Sequence, residues 1–317
     1  MFYSIRHLTR FRYDSPVTES QMEARMHPRT EGPQRCLSFQ LTVNPRAAVH
    51  TYRDYMGNSV HHFDVPGQHT QLRILAEALV EVQTAPEIPE RLADNAWAQL
   101  EILAGGADFW EMLMPSQFAR PTEALTDLIG QLDLESRGDD PLTFLRELNQ
   151  AIYSWFDYVP KATRVDSPID DAIQARMGVC QDFTHIMIAM ARHARIPCRY
   201  VSGYLYPSED NLDRSPEGAS HAWVEALLPG LGWTGFDPTN NLIAGERHIR
   251  TAIGRDYADV PPTRGIFKGN AASELTVSVQ VAPSDAPPME IEPSPPPQWV
   301  AAENEPVDLQ QQQQQQQ

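Results

Sequence analysis

The sequence predicts an α+β protein: a β-sandwich-like N-terminal domain over residues 1–82, a helical connection over 83–159, an α+β core over 160–281 and a disordered tail over 282–317. Three patterns carry this division: period-two alternation at the start, helical periods from Pro86 onward, and a proline- and glutamine-dominated end. At 317 residues and 41% hydrophobic content, the chain can bury more than one core.

In the first region Tyr3, Ile5, Thr9, Phe11 and Tyr13 share one side of an alternating run, which Asp14-Ser15-Pro16 is expected to end. Leu37, Phe39, Leu41 and Val43 repeat the alternation up to Asn44-Pro45. Gly57-Asn58 then separates runs around Val49–Tyr55 and Ser59–Val65. Helices are expected over Ile88–Leu103, Thr122–Leu132 and Pro141–Phe156. The last is the clearest, with Asp140 as cap, Pro141 in the first turn and a stripe of Leu142, Leu145, Leu148, Ile152 and Trp155. After Ala282, clustered prolines lead to an unbroken run from Gln310 to Gln317, too poor in apolar residues to offset its ordering entropy.

A net charge of −17 repels phosphate backbones and anionic lipid head groups, so nucleic acid and membrane surfaces are poor partners and a basic or neutral substrate is more natural. The three cysteines, Cys36, Cys180 and Cys198, cannot all pair and lack C-x-x-C spacing. Arginines at 6, 10 and 12 interrupt any signal-peptide core, and no run approaches the roughly 20 apolar residues of a membrane span. A soluble, cytoplasmic protein is expected.

Cys180 opens the run QDFTHIMIAMARHA, whose apolar residues surround nearly the whole helix and so predict burial. A thiol at such a helix start faces unpaired N–H groups and the positive end of the dipole, which favour thiolate over thiol. The same N–H groups suit an oxyanion in acyl transfer. Taken alone, Cys180 would be read as a small core residue, as Cys36 and Cys198 are.

The segment SHAWVEALLPGLGWTGFDPT alters that weighing. Its halves read as strands around Pro229-Gly230, and a fold-back centred near Pro229 sets Glu225 against Trp233, Trp223 against Gly235 and His221 directly against Asp237. An aspartate so placed fixes the imidazole tautomer and leaves the other ring nitrogen to face a thiol. Period two puts Ala222, Val224 and Ala226 on the inward face.

The stretches GVCQDFTHIMIAMARHARIPCRYVSGYL and SHAWVEALLPGLGWTGFDPTNN resemble the core of the bacterial transglutaminase-like family, and MFYSIRHLTRFRYDSPVTES resembles the N-terminal region that accompanies it. The resemblance implies a papain-like α+β core, with Cys180 as nucleophile, His221 as base and Asp237 as orienting acid. It implies thiol-dependent acyl transfer on peptide or glutamine amide bonds. Hydrolysis is the expected outcome, with transfer to an amine as the alternative and a peptide-binding module without turnover as a third reading.

Gln174 lies six residues before Cys180 but on the wet side of a short helix. Gln181, Asp182 and His185 are expected in cap and core roles, and Tyr158, Tyr204 and Tyr206 in packing. No paired-ligand spacing supports a metal and no calcium loop is present, so no cofactor is expected. The polar loop PSEDNLDRSPEG before His221 is expected to act as a lid or specificity element.

Overall fold

Two long antiparallel strands, β1 (Phe2–Ala24) and β4 (Ser59–Val82), form the spine of a six-stranded sheet. The computed structural model describes residues 1–84, 86–207, 210, 213–216 and 218–284. The expected disordered tail beyond Ser284, and parts of the expected lid loop, lie outside the described residues. Strand β1 does not stop at Asp14-Ser15-Pro16; its register against β4 slips between Arg12 and Glu19, so Pro16 falls where a missing N–H breaks no ladder.

On the outer side of β4, β2 (Gln34–Asn44) and β3 (Val49–Arg53) pair with successive halves. Beyond β1 the same positions are taken by the last two strands of the described residues, β12 (Thr263–Lys268) and β13 (Ser273–Pro283). Residues of both halves, among them Val43, Leu72 and Ile74 with Met22, Phe63 and Val65, gather in one core. The sheet therefore folds over on itself at the slip, and a sandwich-like unit results from one sheet. This corrects the division at 82 and 281: residues after 262 complete the N-terminal sheet, and the described residues form one compact unit. Alternation in SELTVSVQV is visible in the sequence, but pairing across some 270 positions is not.

The helices α1 (Ala96–Ala104), α2 (Glu123–Gln131) and α3 (Pro141–Trp155) follow. Helix α1 starts later than its expected Ile88, beyond Pro86 and Pro89, which disfavour helix in the residues before them. Thr122 caps α2 through Leu125 N–H, and Asp140 caps α3 through the N–H groups of Leu142 and Thr143. Two-residue strands β5 (Asp157–Tyr158) and β6 (Met177–Gly178) pair in parallel around α4 (Ile169–Ala175). Helix α5 (Cys180–His193) then packs against a five-stranded sheet of β7 (Cys198–Leu205), β8 (His221–Leu228), β9 (Gly232–Asp237), β10 (Leu242–Ile243) and β11 (His248–Gly254), in the order β10-β9-β8-β7-β11. Ala222, Val224 and Ala226 face the α5 core, as their period predicts.

Strand β11 is an edge, and the N-terminal sheet closes it with carboxamides. Gln34 bonds both the N–H and the C=O of Arg250, and Asn58 does the same for Ile253. Side chains thus stand in for a missing strand. Below them, buried Glu225 receives Arg199 at 2.7 Å and Arg250 at 2.5 Å, and Arg199 also reaches Glu31 of the N-terminal region. No helix of the described residues is long and apolar enough to cross a membrane.

Candidate active site

Helix α5 begins at Cys180 because Asp182 reaches back to the Val179 N–H at 2.9 Å, while Thr163 donates to the same carboxylate oxygen. Gly178 is needed here: a Cβ on it would meet Asp182 Oδ2 at 2.8 Å. Gln181 Nε2 binds Val165 C=O at 2.9 Å, so the loop before α4 is held against the same turn. The Cys180 and Gln181 N–H groups belong to the first helical turn and have no intrahelical partner. Cys180 itself is half-buried, whereas Cys198 is fully buried and burial pushes its thiol up to about 12.

His221 is buried at the start of β8, and Asp237 is fully buried at the end of β9. His221 Nε2 lies 2.8 Å from Asp237 Oδ2. The hairpin register differs from expectation by two residues: Glu225 faces Gly235 and Leu227 faces Trp233. The reversal spans Pro229-Gly230-Leu231 with positive φ at Gly230 and Gly232, so it centres beyond Pro229. A shift of two preserves the face, and His221 meets Asp237 diagonally instead of directly.

The Asp237 carboxylate is saturated. Oδ1 accepts from the N–H groups of Thr239 at 3.0 Å and Asn240 at 3.3 Å; Oδ2 accepts from His221, from Asn240 Nδ2 at 2.8 Å and from His248 Nε2 at 3.1 Å. The Gly245 N–H donates to His248 Nδ1, which sets the tautomer with the proton on Nε2. Burial would raise the Asp237 pKa, but His221 and His248 hold it far below the carboxylate range. For His221, burial lowers the pKa, yet Asp237 and Cys180 outweigh it and push the imidazole up to about 10. Cys180 is near enough to that ring to contribute to the upward shift. Ser215 Oγ lies 3.2 Å from Nδ1, and Asn240 Nδ2 bonds Ser215 Oγ in turn.

Of the three residues singled out in the sequence, His221 and Asp237 are in direct hydrogen-bond contact, and Cys180 is a charge neighbour of the His221 ring. His221, Asp237 and His248 are also the one trio among the described residues whose potential ligand atoms lie within 4.8 Å of one another. Their proximity is explained by the hydrogen bonds between them.

Residues 3–81 match the bacterial transglutaminase-like N-terminal region, and residues 132–238 match the transglutaminase-like superfamily core. An uncharacterised protein of Mycobacterium leprae is 34% identical over 276 residues, covering 87% of this chain and 96% of its own. The chain belongs to the transglutaminase-like superfamily. A second uncharacterised relative, from Mycobacterium tuberculosis, is 35% identical and covers 89% of this chain and 92% of its own. A protein-glutamine gamma-glutamyltransferase of Pseudomonas aeruginosa is 37% identical over 119 residues, 35% of this chain and 18% of that protein. Among solved structures, a Cytophaga hutchinsonii protein described as a candidate cysteine protease shares the fold at a TM-score of 0.69 and 23% identity, covering 91% of this chain and 93% of that one.

On this transglutaminase-like scaffold the remaining residues sort themselves. Gln174 is exposed, and His185 stacks on Phe118 in the core with Nε2 accepting from the Tyr257 N–H. Tyr204 bonds His7 across the interface with the N-terminal sheet. Tyr158, aligned with Gly178 between β5 and β6, is half-buried; burial first, then Cys180 and Asp182, raise its phenol. The sequence reading missed Ser215, Asn240 and His248. Asn240 follows Asp237 by three residues in an Asp-Pro turn and was recoverable from that turn chemistry; His248 has no local signal.

Proposed function

We propose that the protein is a thiol hydrolase of carboxamide or peptide bonds, with Cys180 as nucleophile, His221 as acid and base and Asp237 as orienting acid. The observation that carries the reading is the His221–Asp237 contact at 2.8 Å with Cys180 acting on the same ring. Because Nε2 is committed to Asp237, Nδ1 is the nitrogen that exchanges protons with the reaction. Cys180 gives its thiol proton to His221 Nδ1, the thiolate attacks the carbonyl carbon, and the oxygen takes the π electrons beside the first-turn N–H groups. Collapse breaks the C–N bond, and the departing amine takes the Nδ1 proton, leaving a thioester. Water then gives a proton to Nδ1 and its hydroxide to the acyl carbon, and the C–S bond breaks to restore the thiol pair.

Hydrolysis is the first reading because a cleft of about 660 Å³ reaches His221, so water has access to the imidazole that would activate it. Transfer to a lysine amine is the second reading, prompted by the relative named as a gamma-glutamyltransferase, which aligns with 35% of this chain. A non-catalytic peptide-binding role is third, since the thiol, imidazole and carboxylate are all present. The partner is then a protein or peptide substrate, and the free cysteines fit a reducing, cytoplasmic setting.

Incubation with a glutaminyl peptide, with and without added amine, tests the reading by mass spectrometry. We expect a thioester adduct on Cys180, ammonia release, and free acid as the main product. Cys180→Ala should give none of these, and an adduct on Cys36 or Cys198 would sink the assignment.

A further inference from the structure

We infer that the outer edge of β13 is a docking strand, along which an extended segment of the polypeptide substrate adds to the N-terminal sheet and is led to His221. The inference takes its substrate class from the acyl-transfer reading but concerns binding, which can be measured without turnover.

Strand β13 pairs with β1 along its whole length, from Ser273 opposite Tyr13 to Pro283 opposite Tyr3. The Ser284 N–H bonds Phe2 C=O, which sets the phase of the ladder: even-numbered residues of β13 bond toward β1, and Leu275, Val277, Val279 and Val281 turn their N–H and C=O groups outward. Among the described residues, that outer side makes one backbone bond, from Val279 N–H to Gly218 C=O at 2.8 Å. Gly218 lies three residues before His221, so the open edge leads to the candidate base.

The two sheets treat their edges differently. Edge strand β11 is covered by Gln34 and Asn58, as described above, whereas β13 carries none of the usual protection between Leu275 and Ala282: no proline, no charge and no bulge. Leu275 and Val277 are instead 54% and 41% exposed. Among the described residues this edge is regular and has its one backbone bond at Val279, and a regular edge of this kind is a template for another strand.

The cleft of about 660 Å³ borders residues 278–282 of this strand and includes His221 in its lining. One wall is the polar face of the sheet, where Arg6 stands opposite Gln280 and Ser4 opposite Ala282; Ser215 and Ser220 line the other. The volume suits a short peptide segment and the lining suits polar side chains such as a carboxamide. Only a polypeptide backbone repeats donor and acceptor every second residue, which is the spacing that the edge presents.

The test uses full-length Cys180→Ala protein and a fluorescent glutaminyl peptide, with binding read by anisotropy. N-methylation of the peptide backbone, one residue at a time, is expected to weaken binding about tenfold at alternate residues and little between them, each lost hydrogen bond being worth about 1–1.5 kcal/mol. No binding, or losses without a period of two, overturns the inference. In the protein, Val277→Pro removes an outward N–H from an exposed position and is expected to weaken binding about tenfold at little change in Tm, the cost of one lost bond; Gln280→Pro breaks the ladder to β1 and lowers Tm. Parent-like binding by Val277→Pro removes β13 from the docking surface. Wild-type thioester formation is scored separately, so loss of the catalytic reading and loss of this one leave different signatures.

Discussion

His221 Nε2 and Asp237 Oδ2 stand 2.8 Å apart although Asp237 lies level with Trp223 on the neighbouring strand, not with His221. The diagonal contact works because Asp237 is held by two backbone N–H groups, Asn240 and His248 as well, and so cannot swing toward solvent. Asp237→Asn replaces the acceptor with a donor and frees the wrong tautomer. We expect kcat to fall about 10²- to 10⁴-fold with little change in KM, by analogy with other relays of this kind. Steady-state rates on a glutaminyl peptide decide it; parent-like kcat would remove Asp237 from the mechanism.

Tyr158, whose phenol lies in the field of Cys180, is a candidate for the second oxyanion donor. Its phenol is raised by burial and by Cys180 beside it, so it keeps its proton and can donate. Tyr158→Phe should lower kcat by about 10²-fold, the cost of one donor, with KM and Tm near the parent's. If KM rises with kcat constant, Tyr158 binds substrate and does not stabilise the transition state.

Local chemistry was legible in the sequence and long-range closure was not. Asp140-Pro141 marks the start of α3 because cap and first-turn signals act within a few residues. His221 and Asp237 share a face because strand periodicity survives a register shift of two, though the turn that sets the shift was misplaced by about one residue. His248 was invisible: it reaches Asp237 only because β11 pairs with β7, and no pattern near residue 248 encodes that pairing. The same holds for β12 and β13, which read as part of the core and belong to the first sheet.

Stability should peak near neutral pH, for opposite reasons on the two sides. His221 is raised from 6.5 to about 10 against the burial that opposes it, by Asp237 and Cys180, so its contribution is complete below pH 6.5 and is lost as pH rises through about 10. His7 and His185 are lowered by burial, to about 4 and about 3, so theirs is complete above pH 6.5 and is lost as pH falls toward those values. Thermal unfolding followed from pH 3 to 10 should show both limbs, and His221→Gln should flatten the alkaline one. An unchanged alkaline limb in that variant would contradict the raised imidazole.

Glu225 offers the sharpest test of what holds the site's strand in place. It lies on β8 on the same face as Trp223, whose ring contacts both His221 and His248, and it is buried between Arg199 and Arg250. Removing the carboxylate leaves the buried Arg199 and the partly buried Arg250 with Glu31, on Arg199, as their one remaining ion-pair partner among the described residues. Glu225→Gln should therefore cost about 3–5 kcal/mol in denaturant unfolding. Replacing all three residues together, Arg199→Met, Glu225→Leu and Arg250→Met, should cost much less, because no charge is then stranded, although the Arg250 and Arg199 stems also pack against their neighbours. A triple variant as unstable as Glu225→Gln would show that the ion cluster is itself stabilising and does more than satisfy its own members. Catalysis should follow stability in these variants only through His221, so the surviving folded fraction of Glu225→Gln should retain a near-parental KM.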